Sequence, residues 1–222
     1  MSSPSSVVLL GPPGSGKGTQ AAPIAAERDL LNVSTGRLLR AAVKEGTPEG
    51  QEARSHMDMG GLVPDALVIA LLMRTIPSAD QGVLLDGFPR TVAQAEALDE
   101  SFARMERPVP FAVLIDVPDD VLVERIGGRR LCAAEGHEYH LEYRPPRSPG
   151  KCDVDGSPLV RRDDDEPDTV RRRLTTYHRE TEPLVAYYEA RGLLLRIDGT
   201  RAPDDVFAAI RAGLDIAVGS RR

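Results

Sequence analysis

Nine residues, Gly11 to Thr19, read GPPGSGKGT and follow the apolar run Val7-Val8-Leu9-Leu10. A strand that feeds a glycine-rich loop ending in a lysine is suited to holding a polyphosphate. Gly11, Gly14, Gly16 and Gly18 let the backbone turn tightly and aim its N–H groups inward. Lys17 adds a point charge for β- and γ-phosphates. A helix starting near Lys17 points its N-terminal dipole at the same anion. Gly11, Gly16 and Lys17 complete the pattern G-x-x-x-x-G-K. Gly18 then stands where Ser or Thr is usual, and the hydroxyl comes one place later, at Thr19. A magnesium-binding hydroxyl is therefore not assigned to position 18. Alone, the stretch would read as a glycine-rich turn, but the preceding strand, the loop length and the lysine favour phosphate binding.

Arginines recur beside turns and strand ends. Arg40 follows Ser34-Thr35-Gly36, and Arg90 closes Asp86-Gly87-Phe88-Pro89. Arg125 and Arg129 flank Gly127-Gly128, while Arg162 and Arg173 bracket an acidic run. A lone arginine is ordinarily a solvated surface residue. A set of them suits phosphoryl transfer, whose transition state spreads charge over several oxygens and is catalysed by positioning and electrostatics. Planar guanidinium forks match that geometry. Asp86, at a strand end after three apolar residues, holds a Walker-B-like position that could orient magnesium through water. A turn or capping carboxylate is the other reading of Asp86.

The elements that must position these groups follow from periodicity. Apolar runs at Val7–Leu10, Val83–Leu85, Phe111–Val117 and Leu193–Ile197 read as strands, with a shorter one around Leu30–Val33. Helical spacing covers Pro64–Met73, which Asp65 can cap, as well as Asp119–Ile126 and Asp204–Val218. Buried strands alternating with helices predict a parallel sheet covered on both faces, with ligand beyond the carboxyl ends of its strands. Pro23 inside the first helix predicts a local kink. Two stretches depart from the alternation. Ser34–Val63 reads as mostly helical and polar, with turns at Gly46-Thr47-Pro48 and Gly60-Gly61. Gly128–Asp165 holds both cysteines and short polar segments, and is too long for a plain loop, so it reads as a small inserted domain.

The chain has 222 residues, enough for one large α/β domain or one domain with insertions. Its net charge is −6, which argues against nucleic acid or a membrane surface as partner and requires local concentration of its cations. No apolar run approaches a membrane helix, and residues 1–6, MSSPSS, lack a signal-peptide pattern. Two cysteines do not make a secreted disulfide framework. A cytoplasmic protein is expected.

The segments GPPGSGKGTQ, STGRLLR, LLDGFPRTVAQAE, GRR, RRDDDEPDTVRRRL and IDGT stand in the order and spacing of adenylate kinases, which the chain resembles over nearly its whole length. The Gly128–Asp165 insert is similar to the long LID of bacterial members. The resemblance implies a P-loop NTPase fold: a parallel sheet flanked by helices, with two inserted mobile subdomains. It divides the chain into a core (1–33, 64–127 and 166–222), a nucleoside-monophosphate insert (34–63) and the LID (128–165). It implies reversible transfer of the γ-phosphoryl of Mg-ATP to AMP, giving two ADP, by a monomer. ATP would lie on Gly14, Ser15, Gly16, Lys17, Gly18 and Thr19, with Arg125, Arg129, Glu138, Tyr139 and Arg201. AMP would meet Thr35, Arg40, Gly61, Leu62, Val63, Gly87, Phe88, Pro89, Arg90 and Gln94. Arg162 and Arg173 would reach across to both nucleotides. Lys17, Arg40, Arg90, Arg129, Arg162 and Arg173 would carry catalysis, with no obligatory general base.

Zinc-containing members of the family carry four ligands in the LID. Here those positions are Cys132, Glu135, Cys152 and Asp155. Glutamate departs from the usual cysteine, and His137 is a substitute candidate. The alternative is a metal-free polar cluster. Two other functions remain open at this stage: a kinase for UMP, CMP or GMP, and a P-loop ATPase or switch with no second nucleotide site.

Overall fold

The computed structural model describes residues 6–76, 81–107 and 109–219, without the side chains of Met73, Val218 and Gly219. The remaining parts of the expected core, and most of the serine-rich start, lie outside the described residues. Five strands form one parallel sheet: β1 (Val7–Leu10), β2 (Leu31–Ser34), β3 (Val83–Asp86), β4 (Phe111–Asp116) and β8 (Leu194–Asp198), in the order β2-β3-β1-β4-β8. All four residues of β1 are buried, as are Val83, Leu84 and Leu85 of β3 and the first five residues of β4. Burial on both faces is why these strands read as unbroken apolar runs.

Helices cover the sheet: α1 (Lys17–Arg28), α2 (Thr35–Glu45), α3 (Pro48–Asp58), α4 (Asp65–Thr75), α5 (Val92–Arg104), α6 (Asp119–Gly128), α7 (Pro167–Thr176), α8 (Pro183–Glu189) and α9 (Pro203–Gly219). α1 runs as one helix with Pro23 inside it. A π-helical stretch, Tyr177–Thr181, joins α7 to α8. Between β1 and its neighbours the connections reverse direction: β2 and β3 lie on one side, β4 and β8 on the other. The loops leaving β1 and β3 therefore open a crevice at the carboxyl edge of the sheet. Register places Leu9 of β1 beside Asp86 at the end of β3, so the glycine-rich loop and Asp86 share that edge.

The helical stretch after β2 is a hairpin of α2 and α3. Gly46 ends α2, and Thr47 caps α3 by accepting the Gly50 N–H at 3.0 Å. The segment after α6 builds a second, antiparallel sheet of β5 (Arg129–Cys132), β6 (Glu138–His140) and β7 (Leu159–Val160), in the order β6-β5-β7. It has its own small core of Cys132, Tyr139 and Cys152, with Leu159 packed against it. At α4 the structure departs from the sequence reading. Pro64 occupies the N-cap, with no side-chain cap, and the Asp65 carboxylate accepts from Gln94 instead of closing its own helix.

Leu84 is fully buried in β3. Leu84→Ala leaves a cavity against a sheet that cannot collapse around it. The expected loss in denaturant unfolding is about 2–5 kcal/mol.

Candidate functional site

The loop from β1 to α1 is shaped by its glycines. Gly16 takes the N-cap of α1 with φ of 98° and no side-chain cap. A side chain would strain that conformation. The first N–H groups of α1 have no side-chain acceptor, the arrangement that favours an incoming anion. Lys17 folds over the loop: Nζ donates to Gly11 O at 2.6 Å, Pro12 O at 2.8 Å and Ser15 Oγ at 3.4 Å. Burial pushes its ammonium down to about 8. Asp86 opposes that fall, and Arg90, Arg173 and Arg129 add to it. Gly18 and Thr19 are exposed beside it, and a Cβ on Gly18 would stand 3.3 Å from Glu138 Oε2.

Opposite the loop, β3 ends in Asp86, which accepts from Ser34 Oγ at 3.1 Å. The next residue must be glycine: Gly87 has φ of 87°, and a Cβ there would stand 2.6 Å from Thr35 Oγ1. Thr35 is buried, and its hydroxyl donates to Asp86 O at 3.3 Å. Beyond Phe88-Pro89, Arg90 Nε returns to Gly87 O at 2.9 Å, and Arg90 N–H donates to Gln94 Oε1 at 2.7 Å. Burial lowers the Arg90 pKa, against the pull of Asp86 and Asp164. Gly61, Leu62 and Val63 lie in the connection from α3 to α4.

Arg40, Arg129, Arg162 and Arg173 come from α2, β5, the end of the small sheet and α7, and they meet around two carboxylates. Arg129 Nε donates to Asp165 Oδ2 at 2.8 Å, and its Nη2 bonds Asp165 Oδ1. Arg162 Nε donates to Asp164 Oδ1 at 2.8 Å, and its Nη2 bonds Asp164 Oδ2. Arg173 Nη1 donates to Asp164 O at 2.9 Å, with Asp164 Oδ2 at 3.1 Å. Burial, followed by the charge of Arg162, brings Arg40 down to about 10. Burial also brings Arg173 to about 10, with Asp164 pulling the other way. Burial works against charged Arg129, but its bond to Asp165 together with the charges of Asp165, Glu138 and Asp164 outweighs that and raises its pKa. Asp164 and Asp165 of the acidic run are thus the counterions of the cluster.

Arg125 and Arg201 stand apart from this centre. Arg125 Nη1 donates to Gly199 O at 2.8 Å, and its guanidinium lies 5.7 Å from the centre of the Tyr143 ring. Arg201 is exposed, 3.9 Å from Asp205. Tyr139 is turned inward: its hydroxyl sits 3.4 Å from Cys152 Sγ and accepts the Asp153 N–H at 2.7 Å.

In the small sheet, Cys132, His137, Cys152 and Asp155 bring their donor atoms within 4.8 Å of one another. His137, not Glu135, completes this set. Cys132 and His137 face each other across the β5–β6 hairpin, where Cys132 N–H donates to His137 O at 2.9 Å. Glu135 is exposed in the turn between them, and its backbone N–H donates to Cys132 Sγ at 3.4 Å. Two sulfurs, one imidazole nitrogen and one carboxylate oxygen at this separation fit a closed tetrahedral zinc site.

A parallel sheet with a glycine-rich phosphate loop after its first strand, and an acidic residue ending the neighbouring strand, defines the P-loop NTPase fold. The adenylate kinase family model matches residues 9–193. The adenylate kinase of Lachnospira eligens is 47% identical over 206 residues, covering 92% of this chain and 97% of that protein. That of Agathobacter rectalis is 47% identical over 92% of this chain and 96% of its own length. That of Syntrophobacter fumaroxidans is 47% identical over 93% of this chain and 98% of its own length. The chain belongs to the adenylate kinase family.

Asp164 makes the cluster sensitive to pH. Burial would raise the Asp164 carboxyl, but Arg173 and Arg162 hold it down at about 2, below its ordinary 3.8. The stabilisation is complete above about pH 4 and is lost as pH falls toward 2. From the size of the shift it amounts to about 2 kcal/mol. Unfolding free energies measured from pH 5 to pH 2 should fall by that much more in the native chain than in Asp164→Asn.

Proposed function

We propose that this protein transfers the γ-phosphoryl of Mg-ATP to AMP, giving two ADP, reversibly, and that the residues gathered at the carboxyl edge of the sheet carry out the transfer. The observation behind the residue assignments is the convergence of Lys17, Arg40, Arg90, Arg129, Arg162 and Arg173 from separate segments on one crevice with a phosphate loop at its floor. One phosphate site would need fewer cations.

In this reading the α1 N-terminus and Lys17 take the β- and γ-phosphates of ATP, with Arg129 above them. Arg40 and Arg90 fix the AMP phosphate, and Arg162 and Arg173 span the two nucleotides. An AMP phosphate oxygen forms the new bond to the γ-phosphorus as the bond from that phosphorus to the β-bridging oxygen breaks. The electron pair leaves on ADP, and no proton need be removed from the nucleophile. Magnesium arriving with ATP supplies neutralisation of the phosphate oxygens, and Asp86 would orient its water shell. Water is the competing acceptor, so the crevice must close. Segments 34–63 and 128–165 would serve as the mobile covers.

Gln94 and Thr35 would read the adenine of AMP. Arg125, with Tyr143 beside it, and Arg201 would flank the adenine of ATP. Cys132, His137, Cys152 and Asp155 would hold a structural zinc that stiffens the LID without touching phosphate. The net charge of −6 supports small nucleotides, not nucleic acid, as partners. The two cysteines form no disulfide with each other, which suits the reducing cytoplasm. Covers that must swing freely favour a monomer. Among the described residues, no helix is long and apolar enough to cross a membrane.

Consumption of Mg-ATP should depend on AMP and yield ADP. Equal turnover with and without AMP would contradict the reading and indicate an ATPase. Lys17→Ala and Arg90→Ala should each cost on the order of a hundredfold to a thousandfold in kcat, with the fold retained.

Elemental analysis should find about one zinc per chain, as a single four-ligand site requires. Cys132→Ser and His137→Ala should lose the zinc and melt at lower temperature while keeping most activity, and Glu135→Ala should retain it. Zinc-replete protein that carries no metal would refute the zinc assignment.

A further inference from the structure

We propose that Asp65 sets the base selectivity of the monophosphate site, by fixing which way the side-chain amide of Gln94 faces. The proposal rests on the reading that Gln94 faces the base of AMP.

Gln94 is buried in the first turn of α5, at 4% exposure. Both ends of its amide are engaged. Nε2 donates to Asp65 Oδ1, and Oε1 accepts the Arg90 N–H at 2.7 Å. These partners have opposite and unchangeable polarity. A carboxylate only accepts, and a backbone N–H only donates. Turning the amide over would set Oε1 against the Asp65 carboxylate and an Nε2 proton against the Arg90 N–H. A buried amide cannot sustain two such contacts.

The remaining capacity of the amide follows from counting. A glutamine amide has two N–H donors and two carbonyl lone pairs. Asp65 takes one donor and Arg90 takes one lone pair. One donor and one lone pair are left, in a fixed order. Adenine matches them: its N6 amino group donates, and the ring nitrogen beside it accepts. Guanine and hypoxanthine put O6 at that corner, an acceptor that would face the free lone pair of Oε1. The pinned amide therefore accepts a 6-amino purine and rejects a 6-oxo purine.

A second feature points the same way. Asp65 is the first residue of α4, where an acidic side chain ordinarily serves its own helix end. Here the N-cap has no side-chain bond, and the Asp65 carboxylate reaches to α5 instead. Arg90 contributes the other restraint through its backbone, so the amide that would read the base is set by the turn whose guanidinium would hold the phosphate.

The test compares AMP with IMP, which carries hypoxanthine and so changes the 6-position without adding a 2-amino group. Apparent kcat/KM is measured for each at saturating Mg-ATP, in the native chain, Asp65→Asn, Asp65→Glu and Gln94→Ala. Asparagine can donate or accept, so Asp65→Asn removes one of the two restraints on the amide and leaves only the Arg90 N–H opposing its turning over. The ratio of AMP to IMP should fall at least on the order of tenfold, because a mismatched buried contact is replaced by a matched one. KM for AMP should rise while KM for ATP stays the same. Asp65→Glu keeps an acceptor-only partner and should restore most of the preference, which a purely structural role for Asp65 would not explain. Melting curves recorded on the same samples confirm that each variant is folded. If Asp65→Asn keeps the native AMP-to-IMP ratio while Gln94→Ala loses it, the proposal is overturned and Gln94 remains the base reader. If Gln94→Ala keeps the ratio, the underlying reading of Gln94 is wrong and the proposal falls with it.

Discussion

Burial of like charges governs the site. Six cationic side chains are held in one crevice of a chain whose net charge is −6. The cost is visible in the groups themselves: burial first, and neighbouring cations after it, bring Lys17 down to about 8, and Arg40 and Arg173 to about 10. The cluster stands because Asp164 and Asp165 lie among the arginines as internal counterions. Lys17 meanwhile spends its protons on the carbonyls of its own loop. In the proposed reading, polyphosphate takes the place of both arrangements as the partner of these groups. Nucleotide binding and closure are in this account one electrostatic event, in which substrate oxygens replace carboxylate and carbonyl oxygens.

The sheet makes that concentration of charge sustainable. Its buried strands need no help from the site, so β1 and β3 can end side by side and release the phosphate loop and the Asp86-Gly87 turn over one crevice. Gly16 and Gly87 are the points where backbone conformation sets chemistry: one opens the α1 N-terminus, and the other admits Thr35 against the end of β3. The arginines come from elsewhere, on α2, β5, α7 and the segment before it. The crevice thus assembles only when the added segments fold against the core.

Much of this was legible in the sequence. The parallel strands announce themselves because burial on both faces leaves no polar alternation, and the phosphate loop does so because its glycines and lysine have few other uses together. The acidic run 163–165 was not legible as part of the site, since three consecutive aspartates ordinarily mark a solvated surface; only the fold brings arginines from distant segments onto them. The fourth candidate zinc ligand stays open in the sequence, between Glu135 and His137, for a related reason. The family resemblance puts Glu135 at that position with His137 as a substitute; the hairpin leaves Glu135 exposed and sets His137 across from Cys132. Asp65 reads as a helix cap from its position alone, and its partner 29 residues onward cannot be inferred from local pattern.

The central claim is that one cationic cluster serves two nucleotides at once. It is tested most directly by calorimetric titration with two adenosines joined through five phosphates, against ATP alone. The account predicts that the bridged dinucleotide binds on the order of a hundredfold more tightly than ATP, since a single molecule then engages both halves of the cluster. Equal affinity for the two ligands would mean that only one nucleotide site exists, and would contradict the account.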